Sequence, residues 1–509
     1  MVMSACSDRR YEAARPWLDE EVLPEDGMGT EQKASAEPFD AVEVRRGSSW
    51  RQWTAEITLS IAFFHAAWFS PPLAGWLVVL SLTFLLRLRR AGTVRRAFYG
   101  GLLVGMGIMA PQLWFMTKIF GAFSAALWFL LAIWLGIFVA VAKLVERRFG
   151  RAWGVASAPF LWMGLEYTRC ELWPLKFSWL TPGFVLPADL WAGSFHYIGV
   201  YGSGMLLVFA AAWIADRRRG FLKWVFPLVL PAGLMGLPAA KNIGERTIQV
   251  AGVQLENVGS NEIIEGLERA RELSPDAELF VLSEYTFAYE PSPELVYWCR
   301  SNGRHVIAGG LDVHPETDIS ERKNYNTAFI LGPTGEVIHK QAKSVPIQFM
   351  DDGDPAPRQR VWDSPMGKVG VAICYDMNYV RVMDELVIRG AELLVVPAMD
   401  VTGWGEHAHR LSAQLAAVRS AEYGVPLFRL ASSGFSRIAT PDGRISKEAS
   451  VPGQGEVIHG EIILTGAGKR PIDRWLALPC VVLTVGMILF LIFEEIRRIR
   501  AKRPPLEVA

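Results

Sequence analysis

The chain reads as an α/β domain inserted between the seventh and eighth helices of a transmembrane α-helical bundle, and three features lead there. Apolar runs suited to a bilayer recur through residues 53–239 and once more at 475–494. Arg and Lys cluster in alternate connections between those runs. Between the last two runs the pattern changes to short β-type segments separated by helical ones.

Composition sets the outer limits. At 509 residues the chain exceeds one ordinary domain of roughly 100–200 residues. Hydrophobic residues make up 51% of it, with 19 Trp and 27 Phe, which is greasy for a soluble protein. The net charge is zero, so nothing draws the whole molecule toward nucleic acid. Five cysteines are scattered without a CxxC pair or metal-ligand spacing, which argues against a disulfide framework and a metal site. Residues 1–52 are polar, interrupted by Pro and Gly, and lack the apolar stretch of a signal peptide; they read as a disordered cytoplasmic tail.

The apolar runs lie near 53–69, 71–88, 97–118, 122–143, 153–169, 190–214, 222–239 and 475–494. A spanning helix needs about 20 such residues. The first two runs, split at Ser70-Pro71-Pro72, are short and fit either two helices or a re-entrant hairpin. Basic clusters at Arg87–Arg96, Lys143–Arg151, Arg217–Lys223 and Arg497–Arg503 all fall on one side of an eight-helix count, the cytoplasmic side by the positive-inside rule. The organisation expected is a bundle of about seven helices over 53–241, an extracytoplasmic domain over 242–470, a C-terminal helix over 471–496 and a basic tail over 497–509, with both termini cytoplasmic.

Within 242–470 the runs TIQVAGVQ, AELFVLSE, HVIAGGLDV, NTAFILG, KVGVAICYD, AELLVVPAMD and PLFRLASS are apolar and bounded by turn residues, with helical stretches between several of them. That alternation describes sheets covered by helices. Three strand ends carry reactive groups. Glu284 follows VLS, Lys343 comes eight residues after the turn glycine Gly335, and Cys374 ends VGVAI and precedes Tyr375. Taken singly they read as a solvated carboxylate, a surface cation and a small core residue. Taken together, an acid, an amine and a thiol at strand ends can meet at one rim of a sheet, where loops build sites.

These segments resemble the nitrilase superfamily through SEYTF, GEVI…K and ICYDMNYVRVMDELVIRGAELLVVPA. With its helical frame the chain is similar to the apolipoprotein N-acyltransferase branch, a likeness carried also by EYTRCELWPLKFSWLTPGF, GVYGSG and AAVRSAEYGVPLFRLASSGFSRIATPDGRI. The resemblance implies a nitrilase-like αββα sandwich and a Glu-Lys-Cys triad. Cys374 is the implied nucleophile, Glu284 its base, and Lys343 with the backbone N–H of Tyr375 the donors to an oxyanion. No metal or cofactor is implied. The implied chemistry is ping-pong: a phospholipid acylates Cys374, and the amine of a diacylglyceryl-cysteine lipoprotein takes the chain. The implied setting is the inner membrane of a bacterium, with a periplasmic catalytic domain and a monomeric enzyme.

The stretch after the lysine departs from that branch. Lys343-Ser-Val-Pro-Ile-Gln-Phe-Met-Asp351 lacks the branch's His-Leu pair, and Asp351 stands where the branch has a second glutamate. Lys340 is a rival for the site lysine, and the Cys-Tyr-Glu of the branch is here Cys374-Tyr375-Asp376. These changes leave open a membrane-tethered amidase, or an acyltransferase with a different amine acceptor. Trp173, Phe177, Trp179 and Phe184 read either as a guide for acyl chains or as ordinary interfacial aromatics. Glu166 and Arg169, one turn apart, read as a pair. Arg419 with Glu422 reads as a structural pair, Arg429 as a brace for site loops, and His409 as a surface residue or one near the mouth.

Overall fold

The computed structural model describes residues 48–69, 75–216, 222–244, 246–313, 324–450 and 453–501. Most of the N-terminal tail, Ser70-Pro71-Pro72, Arg217–Arg219, Lys502 and Arg503 lie outside the described residues. The helical part comprises α1 (Trp50–Phe69), α2 (Leu77–Arg87), α3 (Val94–Gln112), α4 (Met116–Phe120), α5 (Ser124–Phe149), α6 (Arg151–Ala156), α7 (Ala158–Tyr167), α8 (Ala192–Ala215) and α9 (Leu222–Met235), joined at the far end of the chain by α14 (Asp473–Ala501).

Three helical stretches, Met116–Phe149, Ala192–Ala215 and Asp473–Arg498, are long and apolar enough to cross a membrane. Others in the bundle are shorter or more polar: α1 carries Arg51 and Glu56, and α3 begins Val94-Arg95-Arg96. The run at 153–169 is broken at Ser157 between α6 and α7. Helices α3 and α5 pack backbone to backbone, because a Cβ on Gly105 would come within 2.6 Å of the Ala132 Cα. Small residues at such contacts let helices approach where lipid gives no hydrophobic drive. Outward on α14, Val482, Leu483, Leu489 and Phe493 are exposed apolar side chains, as a lipid-facing stripe requires.

Ion pairs gather the basic clusters at one end of the bundle. Arg89 Nε meets Glu146 at 2.5 Å, Arg147 meets Glu495 at 2.5 Å, and Arg151 pairs with Asp216. These are the C-terminal ends of α2, α5, α8 and α14. The opposite ends of α1, α3 and α5 face the α/β domain, where Lys118 Nζ donates to the Gly403 carbonyl at 2.7 Å.

That domain holds two six-stranded sheets. The first runs β12 (Gln454–Leu464), β1 (Arg246–Leu255), β2 (Leu279–Val281), β3 (His305–Val313), β4 (Asn324–Leu331), β5 (Val337–Ala342). The second runs β11 (Ile445–Ala449), β10 (Ser436–Ala439), β9 (Leu427–Ala431), β8 (Leu393–Ala398), β7 (Gly367–Val371), β6 (Val361–Ser364). In each, the central strands are parallel: β1–β2–β3 and β7–β8–β9. The period of two along a strand sorts the side chains. Ile248, Val250, Val281, Val371, Val395 and Phe428 meet between the sheets. Ala251, Val253 and Phe280 face α10 (Ser260–Leu273) and α11 (Pro293–Asn302) on the outside of the first sheet.

The outer face of the second sheet differs. Leu394 and Val396 pack with α12 (Val380–Ile388) and α13 (Glu406–Tyr423), and this apolar core continues without a break into the bundle. The helix layer of the sandwich is therefore also the floor on which the domain rests. A second fastening lies at a kink in α8. Gly199 adopts φ 82°, and the helix restarts at Val200. Val200 N–H donates to Glu422 Oε1 at 3.0 Å, and the N–H groups of Tyr201 and Gly202 donate to Asp473 Oδ2 at 3.1 and 3.3 Å. Carboxylates satisfy the orphan donors and complement the dipole of a helix start. Arg474 then ties Asp473, Glu422 and Asp384 together.

Candidate active site

Four segments deliver polar groups to one rim, three from the carboxyl ends of parallel strands and one from the end of the edge strand β5. Glu284 lies three residues past β2, Lys343 directly after β5, Cys374 three residues past β7, and Asp400 two residues past β8. Glu284 is buried. Its Oε1 accepts from Lys343 Nζ at 2.8 Å and Asn326 Nδ2 at 2.7 Å, and its Oε2 accepts from Met399 N–H at 2.8 Å. Lys343, 1% exposed, also meets Asp352 Oδ2 at 2.7 Å, so one ammonium lies between two carboxylates. Asp352 is oriented in turn by Tyr285 Oη at 3.1 Å, Asn326 Nδ2 at 2.7 Å and Ile347 N–H at 2.8 Å.

Asp351 is exposed, and the acid beside Lys343 is its neighbour Asp352. The turn after Phe349, itself at φ 67°, carries Asp352 inward and leaves Asp351 outside. The rival Lys340 points away from the site, 40% exposed, toward Asp312 at 3.1 Å and Glu290 at 3.3 Å. The strand period separates them: Lys340 lies on β5, and Lys343 follows its end.

Cys374 opens a short 3-10 turn, Cys374–Asn378, with φ 48°. That left-handed conformation costs a non-glycine residue about 1–3 kcal/mol and persists where surroundings over-determine it. Asp376 does so: its carboxylate accepts from the N–H groups of Ser344, Val345 and Ile373, tying the Cys374 turn to the Lys343 loop. Burial raises the Asp376 pKa to about 6, against the opposing effect of those donors and Lys343. Burial also pushes the Cys374 thiol well above its usual range; the Glu284 charge adds to this and Lys343 opposes it. For Lys343, burial works against the charge, but Glu284, Cys374 and Asp352 outweigh it and hold the ammonium well above the usual lysine range.

Beside Cys374 and Tyr375 opens a largely apolar cavity of about 130 Å³. Trp173, Phe177 and Trp179 line it together with Met116, Leu127 and Trp134 of the bundle. Trp179 packs edge-on against Tyr375 at 6.4 Å, and Tyr375 Oη donates to the Lys176 carbonyl at 3.3 Å. Phe349 closes one lip against Phe123 at 5.6 Å. Phe184 lies elsewhere, under the Arg419 guanidinium. Arg419 pairs with Glu422 and donates to the carbonyls of Met377 and Asn378, behind the Cys374 turn. Arg429 braces Asp400 at 2.8 Å. His409 is buried against the Val401 carbonyl at 2.9 Å, since α13 is covered by sheet and bundle alike. Glu166 and Arg169 form no pair: a π turn over Thr168–Leu172 rotates the guanidinium toward Trp179 O at 3.5 Å. Asn326, Asp352 and Asp400 went unnoticed in the sequence. Asp400 could have been found there, because it ends an apolar strand as Cys374 does.

Among the described residues no group of His, Cys, Asp and Glu is arranged to hold a metal ion.

Comparison with known proteins agrees with this layout. Residues 58–213 match the model of the apolipoprotein N-acyltransferase N-terminal domain, and residues 277–469 match that of carbon-nitrogen hydrolases. An apolipoprotein N-acyltransferase of Geobacter metallireducens is 24% identical, over 75% of this chain and 84% of that protein. One of Nitrosomonas europaea is 26% identical, over 73% and 83%. An omega-amidase of Saccharomyces cerevisiae is 29% identical over 44% of this chain, and 90% of its own length.

Proposed function

The chain belongs to the apolipoprotein N-acyltransferase family, and on that premise we propose that it moves a fatty acyl chain from a phospholipid, through a thioester on Cys374, to the N-terminal amine of a diacylglyceryl-cysteine lipoprotein. The observation that carries this reading is the apolar cavity that runs from Cys374 to the helices of the bundle. A small-amide hydrolase has no use for such a wall, whereas two lipid substrates do.

In this mechanism Glu284 takes the thiol proton, because the thiol is held protonated at neutral pH and the thiolate is the nucleophile. The thiolate attacks the ester carbonyl. Lys343 Nζ and the N–H of Tyr375 stabilise the oxyanion that forms. Collapse breaks the C–O bond, and Glu284 returns the proton to the departing lysophospholipid oxygen. The acceptor amine then attacks the thioester, the C–S bond breaks, and sulfur recovers a proton. Asp352 and Asn326 act on Glu284 and Lys343 and fix their placement. Trp173, Phe177 and Trp179 are acyl-chain contacts in this reading.

The domain lies outside the cytoplasmic membrane with both termini inside, a placement supported by the basic clusters at the bundle end away from it. A reporter fused after residue 470 should read extracytoplasmic; a cytoplasmic reading would overturn this. The function is tested by incubating detergent-solubilised protein with a defined phospholipid and a diacylglyceryl-cysteine peptide. A triacylated peptide, absent with Cys374→Ala, is the expected product. Hydrolysis of small amides with no peptide product would contradict it.

A further inference from the structure

Of the described residues that line the cavity beside Cys374, Asp400 is the sole carboxylate. Glu284 and Asp352 lie behind the wall, engaged with Lys343 and Asn326. Asp400 is fixed from two directions. Its Oδ2 accepts from Arg429 Nη2 at 2.8 Å, and its N–H donates to Ser432 Oγ at 3.1 Å. Arg429 is itself buried and anchored to Phe435 O at 2.8 Å and Ser412 Oγ at 3.1 Å. Oδ1 accepts no hydrogen bond from the described residues, which leaves it for a ligand in the cavity. The preceding residue, Met399, holds Glu284 Oε2. Asp400 thus belongs to the β8 strand end that holds the proposed base.

The geometry points to Asp400 as the residue that binds the ammonium group of the incoming acceptor, an assignment that rests on the acyl-transfer reading above. The donor ester is uncharged at its reacting carbon and needs no counter-charge there. The acceptor is different. Its amine arrives as –NH3+ and must shed water to enter a largely apolar cavity that Lys176 also lines, which is costly unless a fixed anion receives it. Arg429 holds only Oδ2 of that anion, at 2.8 Å. Both members of this pair reach the Cys374 thiol, Asp400 raising it and Arg429 lowering it. In the second half-reaction the C–N bond forms as the C–S bond breaks. The ammonium loses two protons in becoming an amide, one to the Cys374 sulfur and one to water.

The test uses full-length protein in detergent, acylated on Cys374 by a defined phospholipid. The acyl-enzyme is discharged either by diacylglyceryl-cysteine peptide or by hydroxylamine, which is uncharged at neutral pH. The readout is the ratio of the two rates. Asp400→Asn should lower that ratio roughly tenfold or more, the scale of one lost hydrogen bond to a charge. An unchanged ratio overturns the assignment. Wild-type protein gives a second measurement that no folding defect can blur. An N,N-dimethylamino analogue of the peptide, cationic at neutral pH and still carrying one N–H, should compete for transfer roughly tenfold better than its N-acetyl analogue; equal competition overturns the assignment. Failure of the wild type to form any acyl-enzyme sinks the acyl-transfer reading, and this inference with it.

Discussion

Two buried ion networks flank α13, and they differ in what reaches them. At one end Lys343 sits between Glu284 and Asp352, beside a strained cysteine and an open cavity. At the other, Arg419 and Arg474 are enclosed by Glu422, Asp473 and Asp384, of which Glu422 and Asp473 also cap the restarted helix at Val200. Both are nearly dry. The second is closed on itself and on backbone groups, among them the Met377 and Asn378 carbonyls behind Cys374. The first leaves a thiol and a cavity within reach of its field. A buried charge network becomes a reaction site where a cavity and a nucleophile adjoin it; elsewhere it fastens the fold.

The comparison can be broken at several places. Glu284→Gln should cost acyl transfer roughly a hundredfold to ten-thousandfold, the span of lost general-base catalysis, measured by transfer of a labelled chain to peptide. Lys343→Met should cost roughly a hundredfold or more through the oxyanion. At the other network, Glu422→Gln leaves buried Arg419 without its carboxylate and takes one of three from Arg474, and should destabilise the protein by about 3–5 kcal/mol. Thermal unfolding in detergent reads that loss. The account predicts less effect on turnover per folded molecule than Glu284→Gln has. If Glu422→Gln abolished turnover in well-folded protein, the division of labour would be wrong.

Titration of Cys374 sharpens the same contrast. Because burial and Glu284 raise its thiol, alkylation by iodoacetamide should be slow at neutral pH and still rising above the range where ordinary cysteines level off. Glu284→Gln removes a charge that raises the thiol and should move the profile to lower pH. Lys343→Met removes one that lowers it and should move the profile to higher pH. Shifts in the same direction for both would contradict the electrostatics. The smallest effect is assigned to Lys340→Ala: its pairs with Asp312 and Glu290 are partly exposed, worth less than about 1 kcal/mol, and transfer should be unchanged.

How much of this was legible in the sequence depends on the range of each interaction. The strands that sort Val250 from Ala251, or Val395 from Leu394, follow a period of two and show in the letters. Glu284 and Cys374 also stood out, since each follows an apolar strand, and Lys343 by its spacing from the turn glycine Gly335. Choosing between Asp351 and Asp352 needed the turn at Phe349, a backbone angle that no composition reports. Pairing Glu166 with Arg169 assumed a regular helix, and the π turn at Thr168–Leu172 spoiled it. His409 lies on a helix of polar appearance, yet sheet and bundle cover both its faces. Each miss turned on contacts between distant segments, or on a local departure from regular helix or strand.

The most direct test of the central claim is the intact mass of the purified protein after incubation with a phospholipid of defined chains. The account predicts a hydroxylamine-labile increase of one acyl group on Cys374, absent in Cys374→Ala and released when diacylglyceryl-cysteine peptide is added. An unmodified Cys374 that still reacts with thiol probes, in protein that nonetheless acylates the peptide, would contradict it.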